Sequence, residues 1–364
     1  MDFFDHQDRA HRNTRWLVFY FVCAVILIIC SVYVAVSAAL FGFRERLHAG
    51  AAFAPWDLDR FLWIATATLT IVAVGSLYKI YALSEGGEAV ARWLGGRPID
   101  PNTQVLKERQ LLNVVEEMAI SSGVPVPSVF LLEESGINAF AAGFAPADAV
   151  IGVTRGAMEL LSRDELQGVM AHEFSHILNG DMRLNLRLMG VLNGILVIAV
   201  VGYMILRGGR FSSRRRDGGT AIVLLGVALL VIGWVGVFFG KLIKAAVSRQ
   251  REFLADASAV QFTRNPDGIA GALKKIGGLV HGSRIDNARA EEASHFFFSD
   301  GAYRSLGQKP PPSRLQFMAT HPPLTDRIRR IDPSFDGKYP AVEPPPEPSP
   351  GREDQALFVA GTTR

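Results

Sequence analysis

Four long runs without a charged residue divide the chain: Arg15 to Arg44, Arg60 to Lys79, Arg187 to Arg207 and Asp217 to Lys241. A bilayer core takes roughly 20 apolar residues at about 1.5 Å rise each, so each run is long enough to cross one. The first and fourth runs are the longest, whereas 61–78 and 188–206 are short enough to be partly buried in protein instead. The pattern predicts spans over 16–43 and 60–82, then a pair at 188–206 and 220–240 that either crosses or forms a membrane hairpin. The first run ends in Ala35-Val36-Ser37-Ala38-Ala39, which resembles a signal-peptidase site. Its apolar stretch is far longer than the roughly 7–15 residues of a cleaved leader, so a retained anchor is expected.

Between the apolar runs the period changes. Leu106, Leu111, Val114, Val115 and Met118 fall at helical spacing within 102–122, ended by Gly123. Val129 to Leu132, Gly136 to Ala141 and Ala149 to Val153 read as short strands, and Thr154 can cap a helix through Leu161. Ser162 followed three positions on by Glu165 is a capping box, and Asn179-Gly180 closes the helix that it opens. After the fourth run, Lys241 to Phe262 continues as a helix. Asn265-Pro266-Asp267 starts another that Gly277-Gly278 ends, and a last short element holds Thr320 to Ile328.

The expected fold class is α+β, mainly helical, with a small β-sheet beside helices and about four transmembrane helices. Its polar core lies in two parts, 98–187 and 241–332, separated by the second apolar pair and the Arg-rich loop 207–219. Residues 1–15 form a polar tail, Gly86-Gly87 and Gly95-Gly96 mark a linker, and the Pro- and Glu-rich stretch 333–364 is expected to be disordered.

Composition narrows the function classes. The hydrophobic content is 49% and the net charge only +3, with no basic-aromatic pattern, so nucleic acid is not an expected partner. Cys23 and Cys30 both lie in the first apolar run, where they read as small apolar filler, not as a disulfide framework or a metal site. A channel or transporter would place ionisable residues inside its spans, and these have almost none.

The chemistry concentrates in His172-Glu173-Phe174-Ser175-His176. Residues four apart share a helix face, so both imidazoles can reach one metal, with Glu173 one step round, placed to touch a water. The plain alternative is a surface helix with an incidental pair of histidines; the capping box and the apolar Val169-Met170-Ala171 argue against it. A catalytic zinc takes three protein ligands. His281 and His295 fall in loop-like sequence, with His295 beside the apolar Phe296-Phe297-Phe298, and His6 and His11 in the polar tail. Glu252 lies on a helix that begins directly after a span, with Asp256 one turn on as an acceptor for a ligand-histidine N–H. Spacing alone leaves this level with a solvated face paired to Arg249 or Arg251. Asn138, Ala139, Phe140 and Ala141 read either as an edge strand to which an extended substrate adds, or as a plain buried strand.

Three motifs in order, AHEFSHILNGD at 171–181, SRQREFLAD at 248–256 and THPPLTDRI at 320–328, carry a resemblance. With INAFAAG at 137–143 and the apolar pair between the first two motifs, residues of roughly 100–332 resemble the M48 family of membrane zinc peptidases, most of all its HtpX-like branch. The resemblance implies a zincin-type catalytic domain and a zinc metalloendopeptidase. One Zn2+ per chain would be held by His172, His176 and Glu252. Glu173 would be the general base, with Asp256 behind a ligand histidine and His321 and Arg327 near the substrate carbonyl. It further implies polypeptide substrates, membrane proteins among them, and a role in membrane-protein quality control. The lipid bilayer would be a partner, with the catalytic domain on the cytoplasmic side of a bacterial inner membrane. Arg9, Arg12, Arg15, Arg92, Arg97, Lys241 and Lys244 suit that orientation, whereas the five arginines at 207–216 do not. Two alternatives stand beside this reading. One is the prenyl-protein branch of M48, whose members carry more spans; the other is a non-proteolytic metal-binding scaffold or chaperone that would not need Glu173.

Overall fold

The protein is described by a computed structural model covering residues 19–20, 22–41, 56–82, 86–209, 219–279, 298 and 319–343. The tail histidines, His281, His295 and most of the Arg-rich loop lie outside the described residues.

Four helices are long and apolar enough to cross a membrane: α1 (Val22–Phe41), α2 (Leu58–Ala82), α7 (Asp181–Gly209) and α8 (Gly219–Thr263). They pack as one bundle around Ile28, Val32, Val72, Ile195, Ile198 and Leu229. Asp57 starts α2 by accepting from the Arg60 backbone N–H at 3.1 Å, while its own N–H donates to the Tyr33 hydroxyl of α1 at 3.0 Å. Inside the bundle the Asn193 side-chain amide donates to the Gly75 carbonyl at 2.9 Å, a polar tie between α7 and α2. Gly194 lets those two backbones touch: a Cβ there would lie 2.2 Å from the Val72 carbonyl oxygen.

The polar part is built on a four-stranded sheet of order β1-β2-β4-β3, with β1 (Arg97–Pro98), β2 (Ser128–Leu132), β3 (Ala139–Ala142) and β4 (Val150–Thr154). β2 and β4 run parallel, and β1 and β3 are antiparallel to their neighbours. One face packs on α4 (Leu106–Ser122), α6 (Arg163–Leu178) and α9 (Pro266–Gly278) through a core that includes Val114, Ile151, Val169, Phe174 and Ile269. The short α5 (Arg155–Leu160) joins β4 to α6, with Thr154 accepting from the Ala157 N–H at its start. α10 (Leu324–Ile331) closes the site from the side of α9 and α8.

Two features differ from the sequence expectation. The stretch read as a glycine linker contains α3 (Gly86–Trp93), whose Ala91, with Leu94 after it, packs on Phe130, Leu132 and Phe140 under the other sheet face. The fourth span and the helix bearing Glu252 are one continuous rod, as the sequence predicts, because nothing between Lys241 and Ser248 breaks helix geometry. The expected disorder from Pro333 does not hold for 333–343: Phe335, Tyr339 and Val342 join the core, and Val342 bridges Leu279. Residues 344–364 lie outside the described residues.

Candidate metal centre

Helix α6 opens with the capping box its sequence implies: the Ser162 hydroxyl accepts from the Glu165 N–H, and the Glu165 carboxylate accepts from the Ser162 N–H. The helix therefore starts at a fixed residue, and one turn separates His172 from His176 on its inner face. Asn179 caps the far end, and Gly180, at φ 67°, turns the chain into α7. Both rings meet Glu252, delivered from α8. Among the described residues, the ligand atoms of His172, His176 and Glu252 all lie within 4.8 Å of one another.

The outer partners fix which ring nitrogen faces inward. His172 Nδ1 is 3.0 Å from Asp256 Oδ1, and His176 Nδ1 is 2.9 Å from Asp181 Oδ2. With each Nδ1–H committed to a carboxylate, each Nε2 presents a lone pair to the centre. The two Nε2 atoms stand 3.0 Å apart, and the Glu252 carboxylate oxygens lie 3.6 Å from each. Three acceptors converging in a buried pocket repel one another unless a cation or a proton sits between them. Two imidazoles and a carboxylate in this arrangement suit a metal ion such as zinc.

Electrostatics point the same way. Burial pushes the His172 pKa down to about 4. Burial also disfavours the charged form of His176, but its bond to Asp181 and the charge of Glu252 outweigh that and raise its pKa to about 9. Near neutrality the imidazole pair therefore carries one proton beyond its two Nδ1 hydrogens, between the Nε2 atoms where a cation would sit. Glu173 is buried, and among the described residues neither carboxylate oxygen has a hydrogen-bond partner. Burial lifts its pKa to about 7.

Arg327 is fully buried. Its Nε and Nη2 donate to Asp256 at 2.8 and 2.7 Å, and its Nη1 donates to the Phe298 carbonyl at 2.8 Å while lying 3.3 Å from Glu252 Oε2. These partners place the guanidinium behind the Glu252 and Asp256 carboxylates, its donors committed there and to the Phe298 carbonyl. Asp256 and Glu252 raise its already high pKa against the opposing effect of burial. His321, 4% exposed, has Nδ1 3.1 Å from Glu252 Oε2. The alternative partners read from the sequence go elsewhere: Arg249 donates to the Ala319 carbonyl and Arg251 meets Asp181.

A cleft beside the centre is lined by Ala141, Glu173, His176, Glu252, Ser248 and Arg251, and by Asp181, Met182, Leu184 and Asn185 at the start of α7. It opens beside the start of α7 and the part of α8 beyond its apolar stretch. β3 forms its edge. Ala139 and Ala141 face α6, whereas Phe140 and Ala142 turn to the α3 side. The Asn138 side chain accepts from the Ala139 N–H at 3.0 Å, and the Ala139 carbonyl accepts from the Phe298 N–H at 2.8 Å. That end of the edge is therefore already covered by the chain itself. Strand period makes the Ala141 N–H and carbonyl the next pair facing the same side. Phe298 also stacks edge-on against His172 at 4.8 Å and lies under Arg327 at 4.7 Å. Sequence reasoning treated Phe298 as packing and gave Asp181 and Arg251 no role at the centre. Asp181 did stand in view, as the last residue of the first motif.

The model of peptidase family M48 matches residues 105–334, which contain every ligand and partner just described. The chain belongs to this family. M48 peptidases are zinc metallopeptidases, and in this member the candidate metal site is the His172, His176 and Glu252 group. A Protease HtpX homolog of Dictyoglomus turgidum is 36% identical over 251 residues, covering 69% of this chain and 76% of the relative. Another, of Dictyoglomus thermophilum, is 34% identical over 324 residues, covering 88% and 92%. Among solved structures, the crystal structure of S. mikatae Ste24p matches 82% of this chain at 17% identity and a TM-score of 0.43, and this chain spans 61% of its length. With its four membrane-length helices, the chain is an HtpX-like M48 membrane metalloprotease, and polypeptides are its substrates.

Proposed function

We propose that this M48 protease is a zinc metalloendopeptidase, with one ion held by His172, His176 and Glu252. The observation that carries this reading is the convergence of three buried acceptors beside a buried carboxylate, Glu173, that makes no hydrogen bond among the described residues. Zinc, when bound, supplies Lewis acidity and a water acidic enough to ionise near neutral pH. Glu173 takes the proton from the attacking water and returns it to the leaving amine, a task suited to a group poised near pH 7. The outward main chain of Ala141 aligns an extended substrate as an added strand. His321, held against Glu252, is the donor proposed for the substrate carbonyl oxygen, and Arg327 fixes Asp256 and Glu252 in place.

Membrane proteins are the proposed substrates, and their quality control at the cytoplasmic face of a bacterial inner membrane the proposed role. The bacterial Protease HtpX homologs support this, as does a cleft that begins where α7 and α8 leave their apolar stretches. The test is cleavage of a membrane-protein substrate by detergent-purified wild type and Glu173→Gln. Loss of cleavage in the variant supports the mechanism, and equal cleavage by both refutes it.

A further inference from the structure

Each imidazole of the centre is backed by a carboxylate, and each carboxylate by an arginine. His172 is backed by Asp256 and Arg327. For His176 the corresponding groups come from two membrane-length helices: Asp181 opens α7, and Arg251 lies in α8 beyond its apolar stretch, directly before Glu252. We propose that Asp181 and Arg251 form a second positioning clamp, which fixes the ring orientation and tautomer of His176 and thereby sets how tightly the centre holds its metal. This rests on the zinc reading above.

The geometry supports a role beyond local structure. Asp181 is 4% exposed, so its charge is out of water and needs partners. It has three: a hydrogen bond with the His176 ring at 2.9 Å, an ion pair with Arg251 whose Nε lies 3.1 Å away without hydrogen-bond geometry, and the N-terminal end of α7, where the helix dipole favours an anion. One carboxylate oxygen faces each side-chain partner, so the imidazole cannot swing without breaking a contact. The two clamps are not equivalent. Arg327 grips Asp256 with two nitrogens, whereas Arg251 meets Asp181 through one and also lines the cleft. The His176 side is therefore the softer half of the site and the half tied to α7 and α8.

The test uses the full chain in detergent. Zinc affinity is measured by competition with a chromogenic chelator, and ligand geometry by the visible spectrum of the Co2+-loaded protein. Asp181→Asn is expected to weaken zinc binding about 10- to 100-fold and to shift the Co2+ bands, with Asp181→Glu recovering part of the affinity. Arg251→Gln keeps the Asp181–His176 bond, so a smaller loss of about 3- to 10-fold is expected, and it decides the matter if Asp181→Asn does not fold. Wild-type affinity and an unshifted spectrum in a folded Asp181→Asn protein, or in Arg251→Gln when the former is unfolded, would overturn the clamp. Wild type and His176→Ala keep the two ideas separate. A wild type that binds no zinc refutes the zinc reading, whereas tight binding lost in His176→Ala but kept in Asp181→Asn refutes only the clamp.

Discussion

Replacing Arg327 by Met separates two roles that its place in the third motif leaves open. A residue facing the substrate carbonyl would affect turnover alone. Its observed contacts are instead with Asp256, Glu252 and the Phe298 carbonyl, all out of water. Methionine keeps most of the aliphatic stem and the contact with the Phe298 ring, but removes the cation compensating two buried carboxylates. Breaking one partner of a buried ion pair typically costs about 3–5 kcal/mol. At about 2–4 °C per kcal/mol for a domain of this size, that is a drop of roughly 6–20 °C in melting temperature. The assay is heat-induced unfolding of the detergent-purified protein with chelator present, so that metal binding does not mask the difference. Arg327→Lys restores charge without the fork and is expected to recover only part of the loss. A melting temperature unchanged in Arg327→Met, with cleavage abolished, would refute the positioning role.

Three other perturbations test the frame and the substrate edge. Ala141→Pro removes an N–H that faces the cleft and is expected to raise KM for an extended peptide about tenfold, with the fold retained; an unchanged KM contradicts strand addition there. Gly194→Leu forces α2 and α7 apart, because its Cβ would lie 2.2 Å from the Val72 carbonyl oxygen, and should cost about 1–3 kcal/mol or more, seen as earlier heat-induced aggregation in detergent. Burial alone would raise the Glu108 pKa, but bonds from Thr103 and Arg97, each at 2.6 Å, hold it below its ordinary 4.5. A depressed carboxyl stabilises the fold above its unfolded-state pKa and loses that contribution as pH falls through the folded value. Glu108→Gln should therefore melt earlier than wild type at pH 7, with the gap closing below about pH 4; a gap independent of pH contradicts the assignment.

Much of the site was legible because short-range rules wrote it. The capping box at Ser162 and Glu165 fixes where α6 begins, and the four-residue spacing then places His172 and His176 on one face. Charge-free runs marked the four long helices, since lipid tolerates little else. Long-range partners were not legible from spacing. Glu252 stood level with a solvated glutamate until the motif order resembled a family, because the contact with His172 joins residues 80 apart in sequence across most of α7 and α8, outside any local window. Asp181 is five residues from His176, yet its role depends on Gly180 turning the chain so that α7 starts beneath the ring. The resemblance implied Arg327 near the substrate carbonyl, and its burial against Asp256 and Glu252 shows where its charge goes. Residues 86–93 read as linker from their glycines, whereas Ala91 and Leu94 seat them under the sheet.

The central claim is that two histidines of α6 and one glutamate of α8 hold a single zinc ion. The most direct measurement is metal content per chain, by elemental analysis after dialysis against trace zinc, for wild type and Glu252→Ala. The account predicts about one zinc per chain in wild type and a large loss in the folded variant, as expected when one of three ligands is removed. Stoichiometric zinc retained by Glu252→Ala would contradict it.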